Sequence, residues 1–457
     1  MNVNNKKILL IGGSGFLGSE LGISLVSNGY KINILGRHHA KKHMLPFPFK
    51  SFTWEKDGSI PNSAMEDVDI IINLAGESIA SGRWTKKKKK AIKQSRINAT
   101  TAVVNTANHH KIRILIQASA IGIYGDTGAT PHSEEDQPGE GFLAETVIDW
   151  EQPLTNLNKD IRLVTLRFGV ILGTTGGAFI ELLNLYATGL GANIGRGDHF
   201  FSWIHIQDVC RFIKRSIKDK NIFGIYNLTA PNPIIYKNLH VSLSKYFGGF
   251  SWISIPKLII AIGLGEKSKI LLDSQNVISI KMVKHDFKFK FNTFEDCLND
   301  LIDRKNDNGF IFHRKQWLPK TKDDVWNFFT IQSNIKKIVP TWIDIAFKND
   351  SSRQTPTEIT CRLNKLIKVK IFSSRNFEIA QEKQLKINQS KGICKTMRQS
   401  YSFEELADGT IIDISIVYKF RYHTIGNVLG FPILSHLLNT AFNFERQKTE
   451  EILSVDI

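Results

Sequence analysis

The stretch Gly12-Gly13-Ser14-Gly15-Phe16-Leu17-Gly18 constrains this chain more than any other, because of what flanks it. Before it runs a short apolar strand, Lys6–Gly12; after it, Phe16–Asn28 has helical periodicity. A G-x-x-G-x-x-G spacing at a strand-to-helix junction has a physical purpose. Gly12 permits the tight turn, Gly15 lets backbone N–H groups approach a pyrophosphate, and Gly18 lets helix and strand pack closely. Ser14, Phe16 and Leu17 share the loop, and the helix N-terminus faces the negative charge. A glycine-rich turn without a ligand is the bland alternative, and the agreement of strand, turn and helix argues against it.

The surrounding pattern supports a parallel sheet. Lys31–Leu35, Val68–Leu74, Arg113–Ala118 and Arg162–Arg167 read as near-continuous apolar strands. Helices at Thr85–His109 and Leu143–Leu157 fall between them. This predicts an α/β fold: a Rossmann-type, doubly wound parallel sheet. At the end of the second strand, an acidic residue would hold a ribose 2′-hydroxyl. Here Gly36-Arg37 stands there, with His38, Lys41 and Lys42 nearby. A guanidinium suits a 2′-phosphate, so the expected cofactor is NADP(H).

With 457 residues, two or three domains are expected. The sequence divides into a nucleotide-binding domain over 1–230 that includes part of a small α/β substrate lobe, the rest of that lobe over 231–303, a polar linker over 304–309 and a further domain over 310–457. The net charge of +17 raises the question of a nucleic-acid partner. Its lysines are scattered, and the densest run, Lys86 to Lys90, opens a helix and reads as a solvated face. No nucleic acid is expected. Nor is a membrane span, since no run of about 18 uncharged apolar residues stands out. The N-terminus leads straight into a strand, which points to the cytoplasm. Cys210, Cys297, Cys361 and Cys394 form no C-x-x-C pair, and no metal site is expected.

Several motifs in order carry a family resemblance: Gly12–Gly18, Asn73-Leu74-Ala75-Gly76-Glu77, Arg83-Trp84-Thr85, Ser95-Arg96, Ser119–Gly125, Leu166–Leu172 and Trp203–Asp208. Together they resemble the atypical extended short-chain dehydrogenases/reductases labelled epimerase-family proteins, which end in a small domain of unknown function. The likeness covers about residues 6–303. It implies that Gly36 and Arg37 meet the adenosine 2′-phosphate, that Leu74, Ala75 and Gly76 line the cofactor, and that Arg96 reaches a phosphate. Ile171 would lie near the nicotinamide. Gly265-Glu266 with Gln275 looks like the signature of the small lobe.

Short-chain dehydrogenases use a Ser, a Tyr and a Lys four residues beyond it to move a proton. The Tyr and Lys positions fall here on Leu143 and Val147 if Glu151 aligns with the acidic residue of that helix. Ser119 and Tyr124 remain as catalytic candidates; Tyr124 reads more readily as a half-buried aromatic shaping the pocket floor. His205 and Asp208 read as structural residues at a helix start. The expected protein is an oxidoreductase or epimerase-like enzyme with non-standard catalytic residues, acting on an unknown small molecule. The alternative is a catalytically silent NADP(H)-binding sensor or scaffold.

Residues 310–457 resemble, more loosely, the α+β helix-grip fold of START-like or polyketide-cyclase proteins. The likeness rests on His313–Leu318, Thr321–Phe329, Ile335–Pro340, Tyr401–Glu404, a hairpin at Asp408-Gly409 and a final helix through Phe442 and Phe444. It implies a cavity for an apolar ligand and a binding module without catalytic residues.

Overall fold

The computed structural model describes residues 6–454 apart from 80–81, 248–251, 303–308, 348–355, 363–367, 381–383, 392 and 422. Most of the linker read at 304–309 lies outside the described residues. The N-terminal unit alternates β1 (Lys7–Ile11), α1 (Phe16–Val26), β2 (Lys31–Gly36), β3 (Lys50–Thr53), β4 (Val68–Asn73), α2 (Lys86–His109), β5 (Ile114–Ala120), α3 (Phe142–Glu151) and β6 (Arg162–Phe168). Then follow β7 (Val170–Leu172), α4 (Gly177–Ala187), β8 (Asn193–Ile194), β9 (Phe200–Phe201), β10 (Trp203–His205), α5 (Ile206–Lys218) and β11 (Gly224–Leu228). The main sheet has seven strands in the order β11-β6-β5-β4-β1-β2-β3, every pairing parallel. That order reverses beside β1, so a crevice opens at the carboxyl ends of β1 and β4.

Sequence chemistry accounts for the layers. Ile8, Leu10, Ile70, Ile72, Ile114 and Ile116 point to one face and meet α1 and α5. Leu9, Ile71 and Leu115 point to the other and meet α2 through Val103, Val104 and Ala107. Burial on both faces is why these strands are apolar throughout rather than alternating. Thr85 caps α2, its side chain accepting from the Lys88 amide at 3.2 Å, and this starts the lysine-rich helix where a solvated face was expected.

The small lobe uses β12 (Ile234–Ile235), α6 (Tyr236–Phe247), β13 (Ser254–Ile255), α7 (Lys257–Leu264), α8 (Lys269–Leu272), α9 (Ile280–Lys284) and α10 (Phe294–Leu301). It pairs back onto the first unit through β13 with β8 and β12 with β9.

The last unit runs β14 (Phe310–Leu318), α11 (Lys322–Thr330), α12 (Gln332–Ile338), β15 (Ile343–Phe347), β16 (Pro356–Arg362), β17 (Lys368–Ala380), β18 (Gln384–Lys391), β19 (Cys394–Leu406), β20 (Gly409–Phe420) and α13 (His423–Ser454). Its seven strands form an antiparallel sheet in the order β14-β20-β19-β18-β17-β16-β15. Alternation splits the faces of β20. Ile412, Ile414, Ile416 and Tyr418 join the core with Leu434 and Phe442 of α13, while Ile411 joins the core of the first unit. Polar bridges also cross this seam. Lys315 donates to Glu20 at 2.8 Å, and His313 lies between Thr174 (2.8 Å) and Asp413 (2.6 Å).

One helix bears on the expectation of no membrane span. From 422 to 444 the chain holds no Asp, Glu, Lys or Arg, and within α13 the segment 424–453 is long and apolar enough to cross a membrane by length and composition. Scattered Asn, Ser, Thr and His residues hide this stretch from a search for an unbroken apolar run. Asn427, Leu434 and Phe442 of this helix are nonetheless buried against the rest of the protein.

Candidate functional site

At the carboxyl end of β1 the chain turns with Gly12 at φ +77°, a backbone that side chains rarely adopt. A Cβ there would sit 2.9 Å from the Leu74 carbonyl carbon, and one on Gly18 would sit 2.5 Å from the Gly12 oxygen. Both positions therefore need hydrogen in place of a side chain. Gly15 donates its N–H to the Gly12 carbonyl at 3.1 Å and stands at the N-cap of α1, with no side-chain cap and no acidic residue in the first turn. The first-turn amides of α1 thus point at open space beside exposed Ser14 and Gly15, a positive electrostatic end suited to phosphate oxygens. Phe16 packs its ring over Gly173, Gly176 and Gly177, tying the turn to the loop beyond β7 and Ile171.

The second wall follows β4. Leu74 donates to the Ile11 carbonyl at 2.9 Å, and the Ala75 amide donates to the Asn73 side chain at 3.1 Å. Gly76 lies against the guanidinium of Arg96. Arg96 donates from Nη1 to the carbonyls of Glu77 (3.0 Å) and Ile92 (2.9 Å) and stacks over Trp150. Burial lowers its pKa to about 10, with Glu77 opposing the shift. The structure thus gives Arg96 a role in fixing the Gly76–Glu77 turn. Arg37 behaves differently. Its side chain follows Gly36 at the end of β2, is 83% exposed and approaches Glu77 at 3.7 Å. Glu77 is in turn held by Lys88 at 2.8 Å, which drives its carboxyl pKa below the ordinary range.

On the neighbouring strands lies a buried polar network. Ser119 donates to Glu151 at 2.5 Å, and Arg167 grips the same carboxylate with Nε (3.0 Å) and Nη2 (2.8 Å). Arg167 also donates from Nη1 to the Tyr124 hydroxyl at 2.9 Å, and that hydroxyl donates to Asn227 Oδ1 at 2.9 Å. Ser119, Tyr124 and Arg167 are all buried, and desolvation pushes the Tyr124 phenol up. The fork-to-fork pairing with Glu151 holds the Arg167 guanidinium charged, against the desolvation that opposes it. Leu143 packs beside Gly122, and Val147 joins the buried cluster of Ile121, Tyr124 and Trp150. At Leu143 and Val147, the positions a Tyr–Lys pair would take if Glu151 aligns with the acidic residue of that helix, this protein has aliphatic packing. Both sequence candidates, Ser119 and Tyr124, have their hydroxyls committed to internal partners.

The pairing of Glu151 with Arg167 escaped the sequence reading. A signal existed: Arg167 sits inside the apolar run Leu163–Val170, and a charge there calls for a buried partner. Asp208 is structural, as expected. It accepts from Arg211 (2.6 Å) and from the amides of Lys290 and Phe291, and His205 caps α5 through Nδ1. Among the described residues no cluster of His, Cys, Asp and Glu could hold a metal ion.

A sheet order that reverses beside β1 and a glycine turn open to phosphate define a Rossmann-type dinucleotide-binding fold, the architecture that extended short-chain dehydrogenases/reductases share. Residues 8–229 match the NAD dependent epimerase/dehydratase family, and residues 255–301 match a domain of unknown function, DUF1731. The chain is 34% identical over 303 residues to the epimerase family protein YfhF of Bacillus subtilis (strain 168), which spans 65% of this chain and 99% of that one. It is 30% identical over 301 residues to the chloroplastic epimerase family protein SDR39U1 homolog of Arabidopsis thaliana, 65% of this chain and 86% of that one. The protein belongs to the epimerase family. Among solved structures, human epimerase family protein SDR39U1 (isoform 2) with NADPH superposes with a TM-score of 0.58 at 24% identity, over 66% of this chain and all of that one. A nucleoside-diphosphate sugar epimerase from Corynebacterium glutamicum follows at 0.54 and 26%, over 65% of this chain and 58% of that one.

Proposed function

We propose that this protein binds NADP(H) and exchanges hydride between the nicotinamide and a carbonyl or alcohol carbon of a small molecule held between the parallel sheet and the lobe. The observation that carries this reading is Arg37, an exposed guanidinium at the position where an NAD site would keep a carboxylate. Ser14, Phe16, Leu17 and Gly18 would offer backbone amides to the pyrophosphate, with Gly12 and Gly15 shaping the turn that presents them. Gly36 and Arg37 would hold the 2′-phosphate, Leu74, Ala75 and Gly76 the flank of the adenosine, and Ile171 the nicotinamide side. Arg96 would act through the turn it fixes. The human relative solved with NADPH supports the phosphorylated coenzyme.

A bound coenzyme supplies the hydride chemistry; the chain positions the groups and excludes water. Ser119 and Tyr124 serve as positioning residues that keep Arg167 and Glu151 fixed beneath the cleft. Mixing the protein with NADPH and a panel of aldehydes, ketones and quinones tests the reading. Absorbance loss that Arg37→Asp abolishes supports it. A second reading, a silent NADP(H) sensor, is favoured by Leu143 and Val147 and predicts thermal stabilisation by NADPH with no turnover across the panel.

The order of elements in residues 310–457, one strand, two helices, six strands and a long final helix, supports a helix-grip, START-like unit. It would take an apolar ligand between the sheet and α13. In this reading the protein works in the cytoplasm.

A further inference from the structure

Two helices from different units leave apolar faces in water. On α13, Ile425 and Leu429 are 72% and 67% exposed, and Ile433 continues the stripe at the same four-residue spacing. The same helix turns Asn427, Leu434 and Phe442 inward, so this is a deliberate outer face rather than a misplaced core. Only 17% of its most apolar window is buried. On α7 no residue is buried, and Leu258, Ile259 and Ile262 face outward.

These faces lie at the ends of one connection. Thr424 abuts Gly189, Asn427 donates to the Ala187 carbonyl at 2.8 Å, and the stem of Lys257 lies over Gly195. Between those anchor points Leu190 is half exposed, and Trp252 on the approach to α7 is 78% exposed. Apolar surface gathered this way marks a partner, since isolated exposed side chains would not line up at helical spacing on two elements.

The charge around the patch identifies the partner. Lys257 opens α7, Lys267 and Lys269 follow directly after it, and Arg83 donates to the Gly263 carbonyl at 3.2 Å, while the nearby Glu266 is itself paired with Lys89 at 2.9 Å. A second copy of this chain would bring two lysine-rich rims together. An anionic bilayer neutralises the lysines while its acyl layer receives the aliphatic side chains and its interface receives the tryptophan.

We propose that the face formed by α7 and the N-terminal half of α13 docks the protein peripherally on anionic lipid bilayers. The test is cosedimentation of the full chain with phosphatidylcholine vesicles, with and without about 30% phosphatidylserine. Binding is expected only with the anionic lipid, and is expected to fall steeply as salt rises. Ile425→Asp with Leu429→Asp should weaken partitioning at least about tenfold while leaving the melting temperature in place, since these side chains stand mostly in water. Lys257→Glu with Lys269→Glu should weaken it separately, which guards against a folding defect in the first pair. Equal sedimentation with neutral vesicles, or none with either, overturns the proposal. So does light scattering that shows a dimer dissolved by Ile425→Asp and Leu429→Asp with vesicle binding unchanged.

Discussion

Two places along the carboxyl edge of the same parallel sheet are built in opposite ways. Around Gly12 and Gly76 the chain has removed side chains, leaving amides open and a guanidinium, Arg37, reaching into water. Around Ser119 and Arg167 it has done the reverse: every hydroxyl and charge is matched to an internal partner and closed off. The first arrangement waits for a ligand, because the first-turn amides of α1 are unspent. The second is complete without one. A site's readiness to bind shows in unsatisfied polarity, and an intact set of polar residues in a cleft is not by itself a reactive one.

Substitutions can break this contrast. The largest effect is expected at the closed end. Arg167→Leu strands the Glu151 carboxylate and the Tyr124 hydroxyl, and should cost about 3–5 kcal/mol in urea unfolding. Replacing Glu151 as well, by Leu, should recover much of that loss, since the penalty is the unpaired charge. If Arg167→Leu alone is neutral, the network is not closed as described. At the open end, Gly18→Ala drives a methyl into the Gly12 carbonyl, and about 2 kcal/mol of stability should go together with NADPH-induced thermal stabilisation. Arg37→Asp should leave the melting temperature alone and weaken NADPH binding by roughly 10–100-fold in calorimetry, with NADH little changed. An equal loss for both coenzymes would remove Arg37 from the 2′-phosphate. The smallest effect is expected for Tyr124→Phe, about 1 kcal/mol of stability, since Asn227 and Arg167 each lose one hydrogen bond. If that variant instead abolished turnover at unchanged stability, the phenol would be reactive and the contrast would fail.

Legibility in the sequence followed the same division. Gly12–Gly18 and the apolar strands β1, β4, β5 and β6 could be read because turn geometry and two-sided burial act locally on residue type. β3 went unread: Lys50–Thr53 is a short edge strand without an apolar run, stabilised by pairing with β2 rather than by its own sequence. The hairpin at Asp408-Gly409 was visible from its turn, whereas the reach of β19 back to Cys394 depends on pairing with β18 and β20. Glu151 and Arg167 are 16 positions apart on different elements, and nothing local joins them. A partnership made by the fold becomes visible only when the fold is.

The ion pair between Lys315 and Glu20 has a thermodynamic consequence. Glu20 lies one turn beyond Phe16 on the helix whose first amides face the glycine turn, and Lys315 belongs to the edge strand of the C-terminal sheet. A ligand that shifted this helix would act on the strand, and one that shifted the strand would act on the helix. Linkage makes the two effects equal: any factor by which one guest tightens or loosens the other's hold applies unchanged in the opposite direction.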